Sequence, residues 1–360
     1  MHNKYFAASN SAYGFKSYFP DVFSSVDCLF VIKGGPGTGK SSFMKKCARV
    51  ASEKGYDVEY YYCSSDADSL DGILWNDGKH IVGMLDGTAP HVWEPKHPGA
   101  VEQIINLGDF WDRKLLSSQK NEITSLSNKK TSAYNKAYHY LRSCGNLRAV
   151  VDMLLRESIN VPKMHTAAER LLVDYTDLAK GKSAKFTPAI IDAVTMKGNI
   201  RLETFEENAK ILYRVGYSYG MGPLFLNELK SCLESKDVSV RVAYDAICPW
   251  LINGIFVEND KRAFVIAPLD REAEIEIDRS ASNSEKYINT KRFIVNDELR
   301  AARTELRYAE KLSNNALEGA LHALSEVNVY HFLIEDIYKN AMNFSALTDF
   351  TNSFLNQIFN

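Results

Sequence analysis

The segment from residue 33 to residue 42 contains glycines, lysines and serines at a spacing that few local protein structures can accommodate. Residues 28–32 form a short apolar run, CLFVI, and the segment KGGPGTGKSS follows directly. From Gly34 that segment reads G-x-x-x-x-G-K-S, the Walker A pattern. Residues 43–51 then carry apolar side chains at helical spacing, with no helix breaker before Gly55. The order predicts a strand buried on both faces, a glycine-rich loop and a helix.

The residue types in this loop suit a bound phosphate. Glycine lets the backbone curl so that several N–H groups point at one anion, and the following helix directs the positive end of its dipole to the same place. Lys40 can reach the β- and γ-phosphates and act in catalysis, and the Ser41 hydroxyl can bind Mg²⁺. The sequence therefore predicts ATP and Mg²⁺ as ligands; the alternative is a glycine-rich turn that binds nothing. The residues expected to bind the nucleotide are Gly34, Gly35, Pro36, Gly37, Thr38, Gly39, Lys40, Ser41 and Ser42.

Aspartates follow two further predicted strands. An apolar strand over residues 80–85 ends in Asp86, and a strand over residues 56–63 is followed by Asp66 and Asp68. In open α/β sheets ligands bind beyond the carboxyl ends of the strands, so all three carboxylates are placed to approach the phosphates. We expect Asp86 to be the Walker B residue that supports Mg²⁺, and Asp66 to act in catalysis. The alternatives are a turn residue for Asp86 and a helix N-cap for Asp66 and Asp68.

A glutamate that could polarise an attacking water is missing after Asp86, where the chain has Gly87. A general base would have to come from elsewhere, and Asp66, Asp68 and His91 are the candidates. Hydrolysis of the nucleotide, phosphoryl transfer to a hydroxyl, and binding without turnover all remain open at this point.

The second half of the chain repeats the first. An ungapped shift that aligns Gly34 with Gly216 also places strand-like runs at residues 209–215, 238–244 and 262–267 where the first half has its predicted strands. A duplicated unit of about half the chain follows from this agreement. The identities are Gly34/Gly216, Phe43/Phe225, Lys54/Lys236, Val58/Val240, Tyr62/Tyr244, Gly72/Gly254 and Ile73/Ile255.

The second copy lacks the groups that would bind a triphosphate. Its loop reads GYSYGMGP from Gly216, and the shift places Gly222 where Lys40 stands and Pro223 where Ser41 stands. A phosphate-binding lysine and a metal-binding hydroxyl are therefore both missing, and proline also removes an N–H donor. We interpret this half as a degenerate copy.

These patterns predict an α/β protein of two tandem P-loop NTPase-like domains, each a three-layer α/β/α arrangement with a mostly parallel sheet and a helical extension. The domains expected are residues 1–182, with the intact Walker A loop, and residues 183–360, the degenerate repeat; 360 residues suit two domains. Apolar stripes at helical spacing over residues 111–180 and 295–312 predict the extensions. They would form a lid or partner surface, or a layer packed on the sheet.

Charge and hydropathy exclude several classes of protein. The chain has 43 basic and 45 acidic residues, a net charge of −2, whereas a nucleic-acid binder usually has a basic surplus. Apolar runs fall short of the ~20 residues needed to span a bilayer. The six cysteines contain no C-x-x-C pair, and the N-terminus does not have the pattern of a signal peptide. We expect a soluble, cytoplasmic protein with no membrane partner and no nucleic-acid partner.

The chain resembles a family of uncharacterised bacterial ATP-binding proteins that have two tandem P-loop domains. The residues that carry the resemblance are Tyr5–Ala7, Lys33–Ser42, Cys63–Asp66, Asp71–Gly72, Val82–His91 and Pro98–Ala100. The likeness extends over nearly the whole chain but is specific over the first 110 residues or so. It implies nucleotide binding and a three-layer P-loop fold, and it implies no substrate. The second P-loop is usually recognisable in that family and is not recognisable here.

The function expected from the sequence is binding of Mg·ATP, with ATP hydrolysis or phosphoryl transfer in the N-terminal half only. One alternative is a kinase that acts on a nucleotide or another small molecule. Another is a nucleotide-dependent switch or scaffold with little turnover. The partners would be a nucleoside triphosphate and an acceptor or protein that the sequence does not identify.

Overall fold

The computed structural model describes residues 3–175, 185–267 and 285–359. The chain separates into two compact units. Unit 1 comprises Met1–Tyr140, Ala193–Ile200 and Glu318–Asn360, and unit 2 comprises Leu141–Asp192 and Arg201–Leu317. The predicted boundary between residues 182 and 183 lies outside the described residues. The units interleave along the chain, so this division is not the simple halving that the repeat suggests.

Strands and helices alternate along most of the described chain. The strands are β1 (Asn3–Phe6), β2 (Ala8–Ser11), β3 (Gly14–Ser17), β4 (Cys28–Lys33), β5 (Asp57–Tyr62), β6 (Leu70–Asn76), β7 (Ile81–Asp86), β8 (Glu102–Asn106), β9 (Phe186–Ala189), β10 (Asp192–Thr195), β11 (Gly198–Arg201), β12 (Ile211–Val215), β13 (Val240–Tyr244), β14 (Ile252–Val257), β15 (Arg262–Ile266) and β16 (Glu285–Ile288). The helices are α1 (Phe19–Phe23), α2 (Lys40–Glu53), α3 (Arg113–Ser118), α4 (Lys120–Arg156), α5 (Val161–Leu171), α6 (Thr204–Asn208), α7 (Met221–Ser235), α8 (Asn296–Asn340) and α9 (Phe344–Phe359).

Unit 1 contains a mixed sheet in the order β1-β5-β6-β7-β4-β8. All neighbours pair in parallel except at β6, which is antiparallel to both β5 and β7. The strands predicted over residues 28–32, 56–63 and 80–85 are β4, β5 and β7. The prediction of an α/β fold with mostly parallel strands is confirmed.

Strand β6 was not predicted, and it corrects the interpretation of the segment before it. After β5 the chain makes a turn, in which the Ser69 N–H donates to the Asp66 carbonyl at 2.9 Å, and it returns as β6. No helix begins here, so the N-cap alternative for Asp66 and Asp68 is wrong. The run LDGILWN over residues 70–76 has the β-branched and aromatic residues that suit a strand.

Helix α2 is held against the unit 1 sheet by one apolar face. Its buried residues are Phe43, Met44, Cys47, Ala48 and Ala51, spaced as one face of a helix requires. A phenylalanine of α9 closes this core: the Phe354 ring lies 5.1 Å from that of Phe30 and 5.2 Å from that of Phe43. Burying each large apolar side chain contributes about 1.5–3 kcal/mol. The packing fixes where the glycine loop, which lies between β4 and α2, leaves the sheet.

Unit 2 contains a second mixed sheet with the same topology. Its order is β9-β13-β14-β15-β12-β16, with β14 antiparallel to its neighbours and the other pairs parallel. The match extends to detail, since the β5/β6 ladder shifts register between Tyr61 and Tyr62, and the β13/β14 ladder shifts between Ala243 and Tyr244. Gly72 and Gly254, an identical pair of the repeat, occupy the same position beside the two irregularities.

Candidate phosphate-binding site

The glycine loop of unit 1 has a backbone that side chains would disturb. Gly37 and Gly39 have φ angles of +71° and +82°, in the left-handed region that favours glycine. A Cβ at Gly34 would lie 2.8 Å from the Thr38 Oγ1. That hydroxyl donates to the Gly35 carbonyl at 2.9 Å and closes the loop. The predicted order of strand, loop and helix is confirmed, with α2 beginning at Lys40 immediately after Gly39.

Lys40 folds back over its own loop. Its Nζ donates to the carbonyl oxygens of Gly34 and Gly35 at 2.9 and 2.6 Å. The same Nζ lies 3.4 Å from the Asp86 Oδ2, and both side chains are only 12% exposed. The ammonium group is therefore held at the mouth of the loop by partners that a phosphate can replace, because carbonyl oxygens and a phosphate compete for the same donor.

Asp86 reaches the loop because β7 pairs directly with β4. Ile32 and Asp86 are register partners, and the Gly87 N–H donates to the Ile32 carbonyl at 2.9 Å. One carboxylate oxygen of Asp86 accepts from the backbone N–H and the hydroxyl of Thr88, at 2.9 and 2.5 Å. Asp86 is therefore the last residue of β7, and one of its oxygens accepts from the turn that follows. The other oxygen faces Lys40.

Burial of Asp86 affects its charge. Loss of solvent raises the pKa of the Asp86 carboxyl, and the nearby charge of Lys40 opposes this rise without cancelling it. A buried carboxylate whose ionisation is disfavoured gains from a further positive charge beside it. A divalent cation would supply that charge, so the donor chemistry fits the metal role predicted for Asp86.

Ser41 stands in the first turn of α2, next to Lys40. Its Oγ accepts a hydrogen bond from the backbone N–H of Leu70, the first residue of β6, at 2.9 Å. This bond orients the hydroxyl and leaves the oxygen a second lone pair for a cation. Ser42, also predicted to bind the nucleotide, is exposed.

Packing explains why glycine follows Asp86. A Cβ at Gly87 would lie 2.4 Å from the Val31 Cγ1, closer than any real contact. A glutamate at this position would require the side chain of Val31, in β4, to move. The glycine is therefore explained by packing against Val31.

Asp66 and Asp68 are engaged by a lysine that the sequence did not indicate. Lys197 Nζ lies 2.8 Å from the Asp66 Oδ1 and 2.5 Å from the Asp68 Oδ2. Its hydrogen bond is the main reason that the pKa of the Asp68 carboxyl is lowered. Lys197 belongs to unit 1 although 131 residues separate it from Asp66. A lowered pKa makes Asp68 a weaker proton acceptor, which counts against it as a general base. Asp66 is held by the same lysine, so its carboxylate is already occupied.

His91 is not placed as a base either. Its Nε2 lies 2.9 Å from the Asp71 Oδ2, both side chains are buried, and its ring stacks on Phe19 with centroids 4.7 Å apart. Burial alone would lower the pKa of His91, but the charge and hydrogen bonding of Asp71 outweigh it, so that the pKa is raised. With its pKa raised, a larger share of His91 is already protonated near neutral pH, so less of it is available to accept a proton.

Lys33, directly before the loop, has a structural role that the sequence did not indicate. Its Nζ donates to the carbonyl oxygens of Gly87 and Trp93 at 2.8 and 2.9 Å. These bonds hold the segment after β7 against the end of β4. The strand pairing before Asp86 and the Lys33 bonds after it therefore both fix the position of Asp86.

The corresponding loop of unit 2 corrects the ungapped alignment. The Ala267 N–H donates to the Val215 carbonyl at 2.8 Å, as Gly87 does to Ile32 in unit 1. Helix α7 begins at Met221 after Gly220, whose φ of +101° is left-handed like that of Gly39. The residues that stand in for Lys40 and Ser41 are therefore Met221 and Gly222, and not Gly222 and Pro223 as predicted. The alignment failed because Gly39 lies seven residues after Ile32, whereas Gly220 lies five after Val215.

The shortened loop of unit 2 leaves no space for a phosphate. A Cβ at Gly222 would lie 2.6 Å from the Gly216 carbonyl oxygen, and that oxygen accepts from the buried hydroxyl of Thr290 at 2.8 Å. The Gly222 N–H donates to the Tyr217 carbonyl at 3.0 Å. The N–H group of Gly222, which corresponds to Ser41, is thus already hydrogen-bonded within the loop. Ile266 stands where Asp86 does in unit 1.

Unit 2 holds a separate group of possible metal ligands. His165 Nδ1 lies 2.6 Å from the Glu228 Oε1 and 3.8 Å from the Cys232 Sγ. Among the described residues it is the one cluster of three or more histidine, cysteine or acidic side chains close enough to share an ion. Nitrogen and sulfur ligands suit a transition metal, so this group is distinct from the magnesium ligands predicted at Ser41 and Asp86.

The loop of unit 1 thus brings together a lysine, a helix N-terminus, an oriented hydroxyl and a buried carboxylate. Such a set can neutralise a polyphosphate and hold a divalent cation beside it.

Within the described part of the chain, the helices do not combine the length and apolarity needed to cross a bilayer. No family model, curated protein or solved structure matches the chain.

Proposed function

We propose that the chain binds Mg·ATP at the loop from Gly34 to Ser42, and that it hydrolyses the nucleotide or transfers its γ-phosphoryl group in the N-terminal half only. The observation that carries the proposal is the position of Lys40, whose Nζ bridges the carbonyl oxygens of Gly34 and Gly35 and faces the Asp86 carboxylate. A lysine held in this way can exchange its backbone partners for phosphate oxygens.

The residues fit the ligand in detail. The N–H groups of the loop and the first turn of α2 would bind the phosphates with Lys40, and Ser41 and Asp86 would hold the cation. Mg²⁺ would neutralise charge on the phosphates and orient them. The left-handed φ angles at Gly37 and Gly39 support this assignment, because they give the loop a curvature that side chains would resist.

We also propose that the two units are tandem P-loop NTPase-like domains of three layers, of which the second no longer binds a nucleotide. The support is the equal order and direction of strands in the two sheets. The loss of function in unit 2 rests on Met221 and Ile266, which stand in the places of Lys40 and Asp86.

The reaction can be narrowed by what surrounds Asp86. A side chain at position 87, directly after Asp86, would clash with Val31, so no carboxylate stands at that position. Asp66 and Asp68 are paired with Lys197. His91 is paired with Asp71. With each candidate base engaged in this way, the intrinsic hydrolysis should be slow. Slow turnover suits an enzyme that waits for an acceptor, or a nucleotide-dependent switch that waits for a protein.

Calorimetric titration with Mg·ATP tests the binding, and measurement of ADP release tests the reaction. Lys40→Ala should weaken ATP binding by at least about tenfold, because a charge-assisted hydrogen bond contributes roughly 1.5–3 kcal/mol. Lys54→Ala, which removes the same charge from the exposed far end of α2, should leave the affinity unchanged. Equal affinity of the parent and Lys40→Ala would contradict the proposal.

ADP release then separates the three kinds of function. Steady release without an acceptor indicates an ATPase, and release that starts when a nucleoside or other small hydroxyl compound is added indicates a kinase. Little release under both conditions, together with ATP-dependent capture of a protein, indicates a switch.

A further inference from the structure

Helix α8 brings a histidine to the phosphate loop of unit 1. A Cβ at Gly37 would lie 2.6 Å from the Glu335 carbonyl oxygen, and one at Gly35 would lie 3.0 Å from the Tyr338 ring. Residues 331 and 335 are four positions apart, and residues 335 and 338 are three apart, so all three lie on one face of the helix. The half-buried His331 therefore continues the face that packs on the loop, one turn before Glu335.

Helix α4 brings a lysine to the same region. The Tyr134 hydroxyl donates to the Ser65 Oγ at 2.9 Å, and the Tyr138 hydroxyl donates to the Asn10 Oδ1 at 3.0 Å. This face of α4 thus packs on Ser65, in the segment that follows β5, and on Asn10 of β2. Lys130 lies one turn before Tyr134 on the same face and is half-buried.

Three basic side chains face this point. Burial lowers the pKa of Lys130, and the charge of Lys40 lowers it further. Burial also lowers the pKa of His331; the charges of Lys130 and Lys40 add to this effect, and those of Glu335 and Asp66 oppose it. The placement itself rests on contacts: Glu335 and Tyr338 set the His331 face of α8 on the glycine loop, and Tyr134 sets the Lys130 face of α4 on Ser65. The directions of the two pKa shifts agree with that placement.

Lys130 and His331 have no direct polar partner in the described part of the chain. In residues 3–175, 185–267 and 285–359, the side chains of Lys130 and His331 make no hydrogen bond or ion pair. A half-buried cation beside another cation is unfavourable, and an anion that reaches both relieves the cost. A multiply charged anion is what the adjoining loop is built to hold.

We propose that Lys130 and His331 form a subsite for the terminal phosphate of a nucleoside triphosphate bound at the Lys40 loop. The inference rests on the proposed function and extends it. The loop amides enclose the inner phosphates, so the outermost phosphate projects beyond Lys40, toward the groups that the two long helices supply. The subsite then distinguishes a triphosphate from a diphosphate.

Titration with Mg·ATP and Mg·ADP, each by calorimetry, tests the subsite. Lys130→Gln should weaken ATP binding by about tenfold to 100-fold, the range for one charge-assisted hydrogen bond, and should change ADP binding by less than about twofold. Lys129→Gln is the matched control, because it removes the same charge from the adjacent, exposed residue. A decrease in ADP affinity equal to that in ATP affinity, or an unchanged ATP affinity, would overturn the subsite.

Proton uptake gives a second measurement that does not depend on turnover. A bound terminal phosphate should raise the pKa of His331 and draw a proton onto it, so calorimetry in buffers of different ionisation enthalpy should detect uptake near neutral pH with ATP and less with ADP. His331→Gln should abolish the difference, and His322→Gln, at an exposed position of the same helix, should preserve it. Equal uptake by the parent and His331→Gln would overturn the role of His331.

Two outcomes separate this subsite from the proposed function. If the parent fails to bind Mg·ATP at all, both are overturned. If it binds in a Lys40-dependent way and Lys130→Gln binds equally well, only the subsite is overturned. Thermal unfolding without ligand tests for a fold defect. Lys130→Gln should unfold at the same temperature as the parent or at a higher one, because a repulsion with Lys40 is removed. A lower unfolding temperature would overturn the subsite in favour of a structural role for Lys130.

Discussion

The Nζ of Lys40 lies 3.4 Å from the Oδ2 of Asp86, although the two residues belong to different elements of unit 1. Parallel pairing of β4 with β7 causes this approach, because it sets Ile32 beside Asp86 at the carboxyl ends of both strands. The glycine loop begins at the same edge. One consequence of strand order is therefore that a cation and an anion, both largely buried, face each other beside the glycine loop.

Asp86→Asn should reduce the dependence of ATP binding on Mg²⁺. The change is nearly isosteric and removes the negative charge that a divalent cation prefers. We expect the ratio of ATP affinities with Mg²⁺ and with a chelator to fall by about tenfold or more, the effect of removing one charge-assisted interaction. Asp21→Asn, at an exposed position in α1, is the control. An unchanged ratio would move the metal role away from Asp86.

Gly87→Ala should destabilise the protein by about 1–3 kcal/mol, the usual cost of adding a methyl group to a full core. The added Cβ would meet the Val31 Cγ1 at 2.4 Å. Chemical denaturation of Gly87→Ala, Val31→Ala and the double variant measures this. The double variant should lose less stability than the two single changes together, because the second change makes room for the first. Strictly additive losses would show that the two positions do not compete for space.

Stability should depend on pH through His91. The pKa of His91 is raised in the folded protein above its usual value of 6.5 by its pairing with Asp71. The folded protein then binds the proton more tightly, so the stabilisation is complete below pH 6.5 and is lost as the pH rises through the folded pKa. Urea unfolding of the parent and of His91→Gln should give a stability difference that shrinks over that range.

The same substitution at the exposed His80 is the matched control for the loss of an imidazole. A parent-minus-variant difference for His91 that grows with rising pH would contradict the assigned direction of the pKa shift.

The local part of the candidate site could be predicted from the sequence. The Walker A residues are contiguous, so the strand β4, the loop and the start of α2 follow from one segment of the chain. Asp86 could be predicted because it ends an apolar strand, and parallel strands end at one edge of the sheet. The shared topology of the two units likewise has a sequence signal, in identities such as Gly72 and Gly254.

Groups supplied from distant segments could not be predicted. Lys197 reaches Asp66 across 131 residues, and no local pattern marks it. Lys130 and His331 look like ordinary members of charged helices until the faces of α4 and α8 are known. The two-residue difference between the loops escaped an ungapped comparison for a similar reason, because only the hydrogen bonds that end β4 and β12 show which residues correspond.

The number of nucleotides bound per chain tests the central claim most directly. Calorimetric titration of the intact protein with Mg·ATP should saturate near one nucleotide per chain, because unit 2 has Met221, Gly222 and Ile266 where unit 1 has Lys40, Ser41 and Asp86. The absence of two charge-assisted interactions weakens a site by roughly 3–6 kcal/mol, or about two to four decades in affinity. Lys40→Ala should weaken this single site by at least about tenfold. Two nucleotides per chain in the parent, or a site whose affinity is unchanged in Lys40→Ala, would contradict the account.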